Sequence, residues 1–303
     1  MATLSQQIVN GLVQGALIGL IALGYTMVYG IVQLINFAHG EVFMVGAFGA
    51  HFAFLYLLPE GVSWYVALPV MVVAAVAASV AVSVAMERLA YRPLRGSHKL
   101  APLITALGVS ILLQEVVRVF YPHATSPLPF PRAFANGHLV MGTVSVLWTG
   151  VLALAVAPLL AWALHLYVER SRLGRAMRAT AQDPDTARLM GINPDRVMLA
   201  TFVIGAVLAG IGAVLYGIHY TQIDTMIGFQ NGIFAFTAAV LGGIGNIRGA
   251  MLGALCIGLV KSLAGQYAWG GAQYDYVWVF VLLILVLMFR PQGFLGRSEG
   301  VRA

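Results

Sequence analysis

The sequence predicts an all-α membrane protein, a polytopic transmembrane helical bundle of about nine spans, in which residues 1–303 form a single domain. Hydrophobic residues make up 60% of the 303-residue chain and charged residues only 9%, with a mean hydropathy of +0.87. Soluble domains are far less apolar than this. In addition, apolar runs that reach or approach the length of a spanning helix follow one another along the whole chain.

Taken in order, the predicted spans cover residues 8–29, 42–58, 64–86, 100–121, 146–168, 197–216, 232–241, 251–264 and 276–288. The start of the chain lacks the basic region of a secretory signal, and no convincing cleavage site follows the first run. We therefore expect that run to remain as a span. Cys256 is the single cysteine, so the chain has neither an intrachain disulfide nor a cysteine-rich metal site.

Charge is concentrated in residues 169–196, which hold ten of the 28 Asp, Glu, Lys and Arg residues. Six of the ten are arginines, and basic clusters between spans face the cytoplasm. Further basic groups lie at 88–99, at Arg248 and at 290–302. Placing all of them inside gives a consistent alternation through the later spans. We expect a cytoplasmic C-terminus and, by parity, an N-terminus outside. The net charge of +6 reflects these clusters, not nucleic-acid binding.

Glycines at every fourth position indicate close helix packing. Gly11, Gly15 and Gly19 fall on one face of the first predicted helix, and Gly249 and Gly253 repeat the spacing. Missing side chains at this spacing let another backbone approach closely. The sequence otherwise shows no convincing internal repeat, linker or second domain.

A proline-rich stretch, residues 121–134, separates the fourth and fifth predicted spans. Its prolines are Pro122, Pro127, Pro129 and Pro131. This density excludes a continuing helix and favours a stiff loop, which the charge pattern places outside. Together with residues 219–230, the stretch is either a surface for an extracytoplasmic partner or an inert connector.

The most informative polar motif, Asn36-Phe37-Ala38-His39-Gly40-Glu41, interrupts the apolar sequence between the first two spans. Nonhelical backbone inside a membrane is tolerated only where protein or a water-filled cavity satisfies its polar groups. One interpretation is a discontinuous helix beside a solute path, with Asn36, Phe37, His39, Gly40 and Glu41 as path candidates. The other is an interfacial loop in which Asn36 or Glu41 caps the next helix. No second ligand lies near His39, so we expect no metal site.

The charged segment contains the start and stop signals of a short helix at residues 183–191. Asp183 suits the cap, Pro184 the first helical position, Asp185 the positive end of the helix dipole and Gly191 the end. Such a helix either transmits force to a partner or is an ordinary positive loop that fixes the topology. Because the segment is too short for an enzyme domain, we expect it to serve as a handle for another protein.

Several separated motifs resemble, in the same order, the permease family of bacterial ABC importers for branched-chain amino acids. They are GYTMVYG (24–30), NFAHGE (36–41), ERLAYRPLR (87–95), the charged run 174–196, FTAAVLGGIG (236–245) and PQGFLG (291–296). The resemblance covers nearly the whole chain. It implies a non-catalytic subunit of the bacterial inner membrane that moves leucine, isoleucine or valine inward by alternating access.

The resemblance also implies the partners: a second permease subunit, two cytoplasmic ATPases and a periplasmic substrate-binding protein. The charged segment then corresponds to the region that docks on an ATPase. Its coupling residues would be Arg175, Arg178, Asp183, Asp185, Thr186, Arg188, Leu189, Met190 and Gly191.

Enzymatic and cofactor chemistry have no support in the sequence. The chain lacks the phosphate-binding loop needed to hydrolyse ATP. The glycines at 243–249 do not fit a dinucleotide loop, because the last glycine falls one position late. Other cargoes of the same importer class, such as urea, short amides or another amino acid, stay open. An ion-driven carrier and a membrane scaffold are the alternatives from other classes.

Charged residues inside or near spans need partners or water. Lys261 lies within the eighth apolar run, and snorkelling to the membrane surface is its simplest account. Glu115 and Arg118 lie three residues apart near the outer end of the fourth run. We expect these two to pair across a helical turn.

Overall fold

The computed structural model describes residues 4–33, 36–59, 61–94, 97–98, 100–132 and 137–296. Four of the basic residues used to predict the topology, Arg95, Lys99, Arg297 and Arg302, lie outside these ranges, as do residues 133–134 of the proline-rich stretch. Within the described ranges the chain forms eleven α-helices and four short strands.

The helices are α1 Leu4–Val32, α2 His39–Phe52, α3 Trp64–Met86, α4 Leu100–Phe120, α5 Trp148–Arg170, α6 Arg172–Gln182, α7 Pro184–Leu189, α8 Pro194–Tyr220, α9 Ile227–Gly242, α10 Ile247–Tyr267 and α11 Asp275–Phe289. The strands are β1 Leu128–Pro129, β2 His138–Met141, β3 Val144–Leu147 and β4 Gln222–Ile223. A π-helical turn, Ala53–Leu57, continues α2, and turns at Glu87–Tyr91 and Arg92–Leu94 continue α3.

In the described part of the chain, eight helices are long and apolar enough to cross a membrane. The 16-residue α9 supplies a further apolar helix, so the nine predicted spans are all present as helices. The prediction of a polytopic helical bundle is confirmed. The two remaining helices, α6 and α7, belong to the charged segment between the spans α5 and α8.

The helices pack with a twofold pattern that the sequence does not show. The contact of α1 with α10 corresponds to the contact of α8 with α3. In the same way, the contact of α2 with α3 corresponds to the contact of α9 with α10, and α2 also touches α9. The fourth helix of each set, α4 or α11, keeps most of its surface exposed. α1 and α8 run antiparallel, because Gly24 of α1 lies against Gly205 of α8 while Leu20 of α1 lies against Gly212, so the two sets run in opposite directions. The bundle is therefore an inverted repeat, α1–α4 with α8–α11.

The glycine face of α1 packs directly on the backbone of α10. A Cβ atom added to Gly11 would lie 2.8 Å from Leu259 Cα, and one added to Gly15 would lie 2.7 Å from Leu255 Cα. From the other side, a Cβ atom on Gly258 would collide with the Gly11 carbonyl oxygen. The predicted close packing is confirmed, and it depends on small residues at the contact.

The two ends of the bundle differ in structure. At one end, which we call the strand end, the proline-rich stretch meets the segment after α8: β1 pairs antiparallel with β4, with Leu128 opposite Ile223. Phe130 N–H also donates to the Thr221 carbonyl oxygen at 2.9 Å. The opposite, basic end carries α6 and α7, and Gln33 at the end of α1 donates to the Ala181 carbonyl oxygen there. The two stretches expected to share a surface do so.

The structure corrects the expectation for Lys261. Its ammonium group does not snorkel to the surface but lies 3.1 Å from Asp275 Oδ2 and 3.4 Å from the centre of the Phe234 ring. The partner is 14 residues away in the sequence and begins α11, so the pair fastens α11 to α10. The second expectation is confirmed: Arg118 Nε donates to Glu115 Oε2 at 2.9 Å.

The α1–α10 contact gives a stability prediction. Gly15→Ala should lower the thermal unfolding midpoint of the detergent-solubilised protein, because its Cβ atom would push two backbones apart at a cost of about 1–3 kcal/mol. Gly108→Ala is the matched control, since nothing lies within 4 Å of a Cβ atom there and both changes add a methyl group to a spanning helix. Equal midpoints for the two variants would contradict the packing.

Candidate functional site

The polar motif at 36–41 lies in the protein core, where the chain turns back between α1 and α2. Asn36, His39 and Glu41 are at most 2% exposed. Ala38 occupies the cap position of α2 and makes no side-chain cap. Asn36 Oδ1 instead accepts a hydrogen bond from the Tyr91 hydroxyl at 2.7 Å. The capping interpretation is therefore wrong, whereas the discontinuous helix beside a solute path stays a prediction.

The His39 ring fills a space that two glycines leave between α1 and α8. A Cβ atom on Gly24 would collide with His39 Nε2, and one on Gly205 would lie 3.2 Å from Cε1. The ring also packs edge-on against Tyr25, with 5.1 Å between centroids. Nε2 has no hydrogen-bond partner among the described residues. The imidazole is therefore held by packing against α1 and α8.

The Glu41 carboxylate is bound on one side only. Its Oε1 atom accepts hydrogen bonds from Ser110 Oγ at 3.0 Å and from Gln114 Nε2 at 2.8 Å, both on α4. Its Oε2 atom has no partner in the described part of the chain. That oxygen lies against the start of α9, where a Cβ atom on Gly228 would collide with it. A fully buried carboxylate with a free oxygen is costly, which makes Glu41 a candidate for a functional role.

The starts of α2 and α9 cross beside this carboxylate. A Cβ atom on Gly40 would collide with the Gly228 carbonyl oxygen, and one on Gly232 would lie 3.2 Å from Gly40 Cα. Neither cap residue, Ala38 or Met226, provides a side-chain cap. The positive ends of two helix dipoles therefore meet in the core, beside Glu41. Discontinuous helices with such exposed ends form the substrate sites of several transporter folds.

The remaining predicted path residue, Phe37, contacts the wall formed by α9. Its ring lies 5.4 Å from that of Phe236, and its carbonyl oxygen accepts from the Tyr25 hydroxyl at 3.4 Å. A cavity of about 10 Å³ lies beside it, lined by Tyr25, Tyr29, Asn36, Phe236, Ala239 and Ile244. This volume holds about one water molecule. The structure thus brings Asn36, Phe37, His39, Gly40 and Glu41 into one region.

Sequence reasoning missed the α4 side of this site. Ser110 and Gln114 sit in the fourth apolar run at the four-residue spacing of a helix face. Two polar residues in a spanning helix were the available signal, but nothing in the sequence pairs them with Glu41.

The charged segment forms the predicted short helix. Asp183 Oδ1 accepts from the backbone N–H groups of Asp185 and Thr186 at 2.9 and 3.1 Å. Hydrogen bonds from the Thr186 hydroxyl and these amides lower the pKa of the Asp183 carboxyl group. Pro184 begins α7, and Gly191 takes a positive φ of 81° just after it ends. The helix predicted for 183–191 is confirmed, with Pro184–Leu189 helical.

The predicted coupling residues divide into two groups. Arg178 donates to the carbonyl oxygens of Val168 and Glu169, and Arg175 to that of Arg170, so both arginines bind the end of α5. In contrast, Leu189 and Met190 are 87% and 79% exposed. The arginines fasten the segment to a span, whereas the two apolar side chains are left exposed by the residues that the structure describes.

A polytopic helical bundle with a buried polar turn in its core and an exposed helix at one end defines a multi-pass membrane permease. The family described as "Branched-chain amino acid transport system / permease component" matches residues 7–288. The chain belongs to this family.

Relatives match over nearly the full length. The chain is 48% identical over 300 residues to the high-affinity branched-chain amino acid transport system permease protein BraD of Pseudomonas aeruginosa, covering 97% of this chain and 96% of that one. It is 44% identical over 298 residues to the permease protein LivH of Escherichia coli, with the same coverages. Identity to LivM of Escherichia coli is 26%, over 92% of this chain and 68% of that one.

Among solved structures, PsaBC from Streptococcus pneumoniae in complex with Fab has a similar fold. The TM-score is 0.51, and the match covers 93% of this chain and 91% of that chain at 11% sequence identity. This similarity concerns the fold alone.

The site gives a test of the His39 packing. Gly24→Ala should destabilise the protein by about 1–3 kcal/mol, because its Cβ atom would occupy the position of His39 Nε2. His39→Ala empties that position, so Gly24→Ala should cost much less in a His39→Ala background. Thermal unfolding of the single and double variants measures the coupling. Additive effects would show that the two residues do not share this space.

Proposed function

We propose that this chain is a permease subunit of an ATP-driven importer for the branched-chain amino acids leucine, isoleucine and valine. It works in the bacterial inner membrane with a second permease subunit, two cytoplasmic ATPases and a periplasmic substrate-binding protein. The observation that carries the proposal is the identity of 44–48%, over nearly the full chain, to permease proteins named for this transport. The subunit performs no covalent chemistry, and its partners hydrolyse the ATP.

The charge distribution supports an orientation with the basic end in the cytoplasm. The segment 169–196 lies at that end, where Arg92 pairs with Asp195 at 3.2 Å. Arg248 lies against His165, which in turn lies 3.1 Å from Glu169 of the segment. Basic residues between spans favour the cytoplasmic side. The C-terminus then lies in the cytoplasm, and the strand end faces the substrate-binding protein.

Coupling to ATP hydrolysis takes place at α7. Leu189 and Met190 offer an exposed apolar contact, and Arg188, which pairs with Asp185 at 2.7 Å, borders it. The segment is fastened through Arg175 and Arg178 to α5 and lies directly before α8. A push on α7 by an ATPase therefore reaches two spans, and a change in their packing alternates access between the two sides.

The translocation path runs beside residues 36–41, along α4. The α4 helix is largely exposed, and it packs on few elements besides α2 and the turn after α3. Its hydrogen bonds to Glu41 link α4 to α2, as does the hydrogen bond between Tyr121, just after α4, and His51 on α2. Displacement of α4 would open Glu41 to solute. The second permease would cover the exposed faces of α4 and α11.

Reconstitution separates this proposal from an ion-driven carrier. Liposomes that contain only this chain should accumulate no leucine with either ATP or an ion gradient, whereas the complete importer should accumulate leucine with ATP. The uptake of radiolabelled leucine measures both. Concentration of solute by the chain alone would overturn the proposal, and ATP-driven uptake of urea or an amide, but not leucine, would establish the other cargo class.

The coupling surface can be tested by truncating its apolar side chains. Leu189→Ala with Met190→Ala should weaken ATPase binding by roughly tenfold or more, as expected for an apolar anchor at an interface. Copurification of the ATPase and leucine-dependent ATP hydrolysis measure the effect. Val140→Ala with Met141→Ala is the matched control, because both side chains are 67% exposed and lie at the strand end. Equal losses in the two double variants would rule out α7 as the docking element.

A further inference from the structure

We propose that the junction where α2 and α9 begin is a subsite for the zwitterionic headgroup of an α-amino acid. Glu41 binds the ammonium group, and the N–H groups in the first turn of α9 bind the carboxylate. This inference rests on the proposed function and states which part of the substrate the site recognises.

The first observation is the unused half of the Glu41 carboxylate. Ser110 and Gln114 both bind Oε1, while Oε2 is buried without a partner in the described part of the chain. No Lys or Arg among the described residues forms an ion pair with Glu41. A buried carboxylate needs an opposite charge and further donors. An ammonium group supplies one positive charge and three donors.

The second observation is the start of α9. The first N–H groups of a helix have no partner within it, and its N-terminus carries a partial positive charge. Met226, the cap residue of this 16-residue helix, provides no side-chain cap, and its own N–H donates to the Asp224 carboxylate at 2.7 Å. Gly228 in the first turn has no side chain and lets the Glu41 carboxylate approach. A carboxylate fits this helix end, and in the present state Glu41 itself is the carboxylate beside it.

Together the two groups match an α-amino acid, whose ammonium and carboxylate groups are attached to one carbon atom. A substrate carboxylate would replace Glu41 at α9, and its ammonium group would bind the released Glu41. The aliphatic side chain would then lie along apolar α4. Urea and other neutral amides offer donors to Glu41 but no carboxylate to α9, so the subsite favours amino acids over them.

The test is ligand protection of a cysteine on α4 in the complete importer, in nanodiscs. Cys256 is the single cysteine of this chain, so Cys256→Ser with Leu113→Cys places one thiol beside the Ser110–Gln114 face. Leucine should slow maleimide labelling of this thiol, followed on this chain by mass spectrometry. At equal concentration, 4-methylpentanoate, which lacks the ammonium group, and isoamylamine, which lacks the carboxylate, should not. Ile111→Cys, which is 62% exposed, is the control thiol.

The charge of Glu41 is tested in the same assay. Glu41→Gln keeps the size and an acceptor for Gln114 but removes the charge, so the leucine concentration for half-protection should rise at least about tenfold, as for loss of a charged hydrogen bond. Glu41→Asp should restore part of the affinity. Leucine protection that is equal in Glu41→Gln and wild type, absent in wild type, or matched by both analogues would overturn the subsite.

Uptake separates failure of the subsite from failure of the proposed function. If the wild-type importer accumulates leucine but the protection results go against the subsite, the subsite alone fails. If the wild-type importer does not move leucine at all, the proposed function fails. The comparison of leucine with its analogues uses the wild-type importer and needs no change at Glu41. It therefore tests the subsite even if the importer with Glu41→Gln does not assemble.

Discussion

The rule that irregular backbone inside a membrane must be covered by protein governs the centre of this molecule. The chain leaves α1, turns in the core and begins α2 at His39, so the polar groups of residues 36–41 need partners there. The surrounding helices supply some of them from far along the sequence, whereas His39 Nε2 and Glu41 Oε2 have no partner in the described part of the chain. Tyr91 binds Asn36, α4 binds Glu41, and glycines on α1 and α8 make room for His39. The bundle is built around this turn.

The twofold packing extends the same constraint to the second half of the chain. α9, like α2, is a short helix that starts without a side-chain cap, and the two helices meet where both begin. Their crossing is closed by Gly40, Gly228 and Gly232, which leave no space for side chains. Packing this tight resists small deformation and favours movement of whole helices. Motion must therefore occur at contacts that lack such glycines.

The sequence predicted those features that depend on neighbours in the chain. The spans follow from the length of the apolar runs, and the α7 helix follows from Asp183, Pro184 and Gly191, because caps and stops act within a few residues. Pairings between distant segments were not predicted. Lys261 gave no sign of Asp275, and Ser110 gave no sign of Glu41, because such contacts depend on which helices become neighbours. The inverted repeat is not visible in the sequence for a related reason. Two halves can pack in the same way with different residues.

Tight and loose helix contacts lie in different parts of the molecule. α1 and α10 share a backbone contact along their length, and α2 and α9 are closed by glycines, so these helices form a rigid centre. α4 contacts that centre through the side chains that bind Glu41 and through apolar residues such as Ala106, and α7 is exposed at the basic end. α8 connects α7 at the basic end with the polar centre, since it follows α7 in the chain and its Gly205 packs on His39. In the proposed coupling, a displacement at α7 would reach the polar centre through α8, and α4 would be the element that moves there.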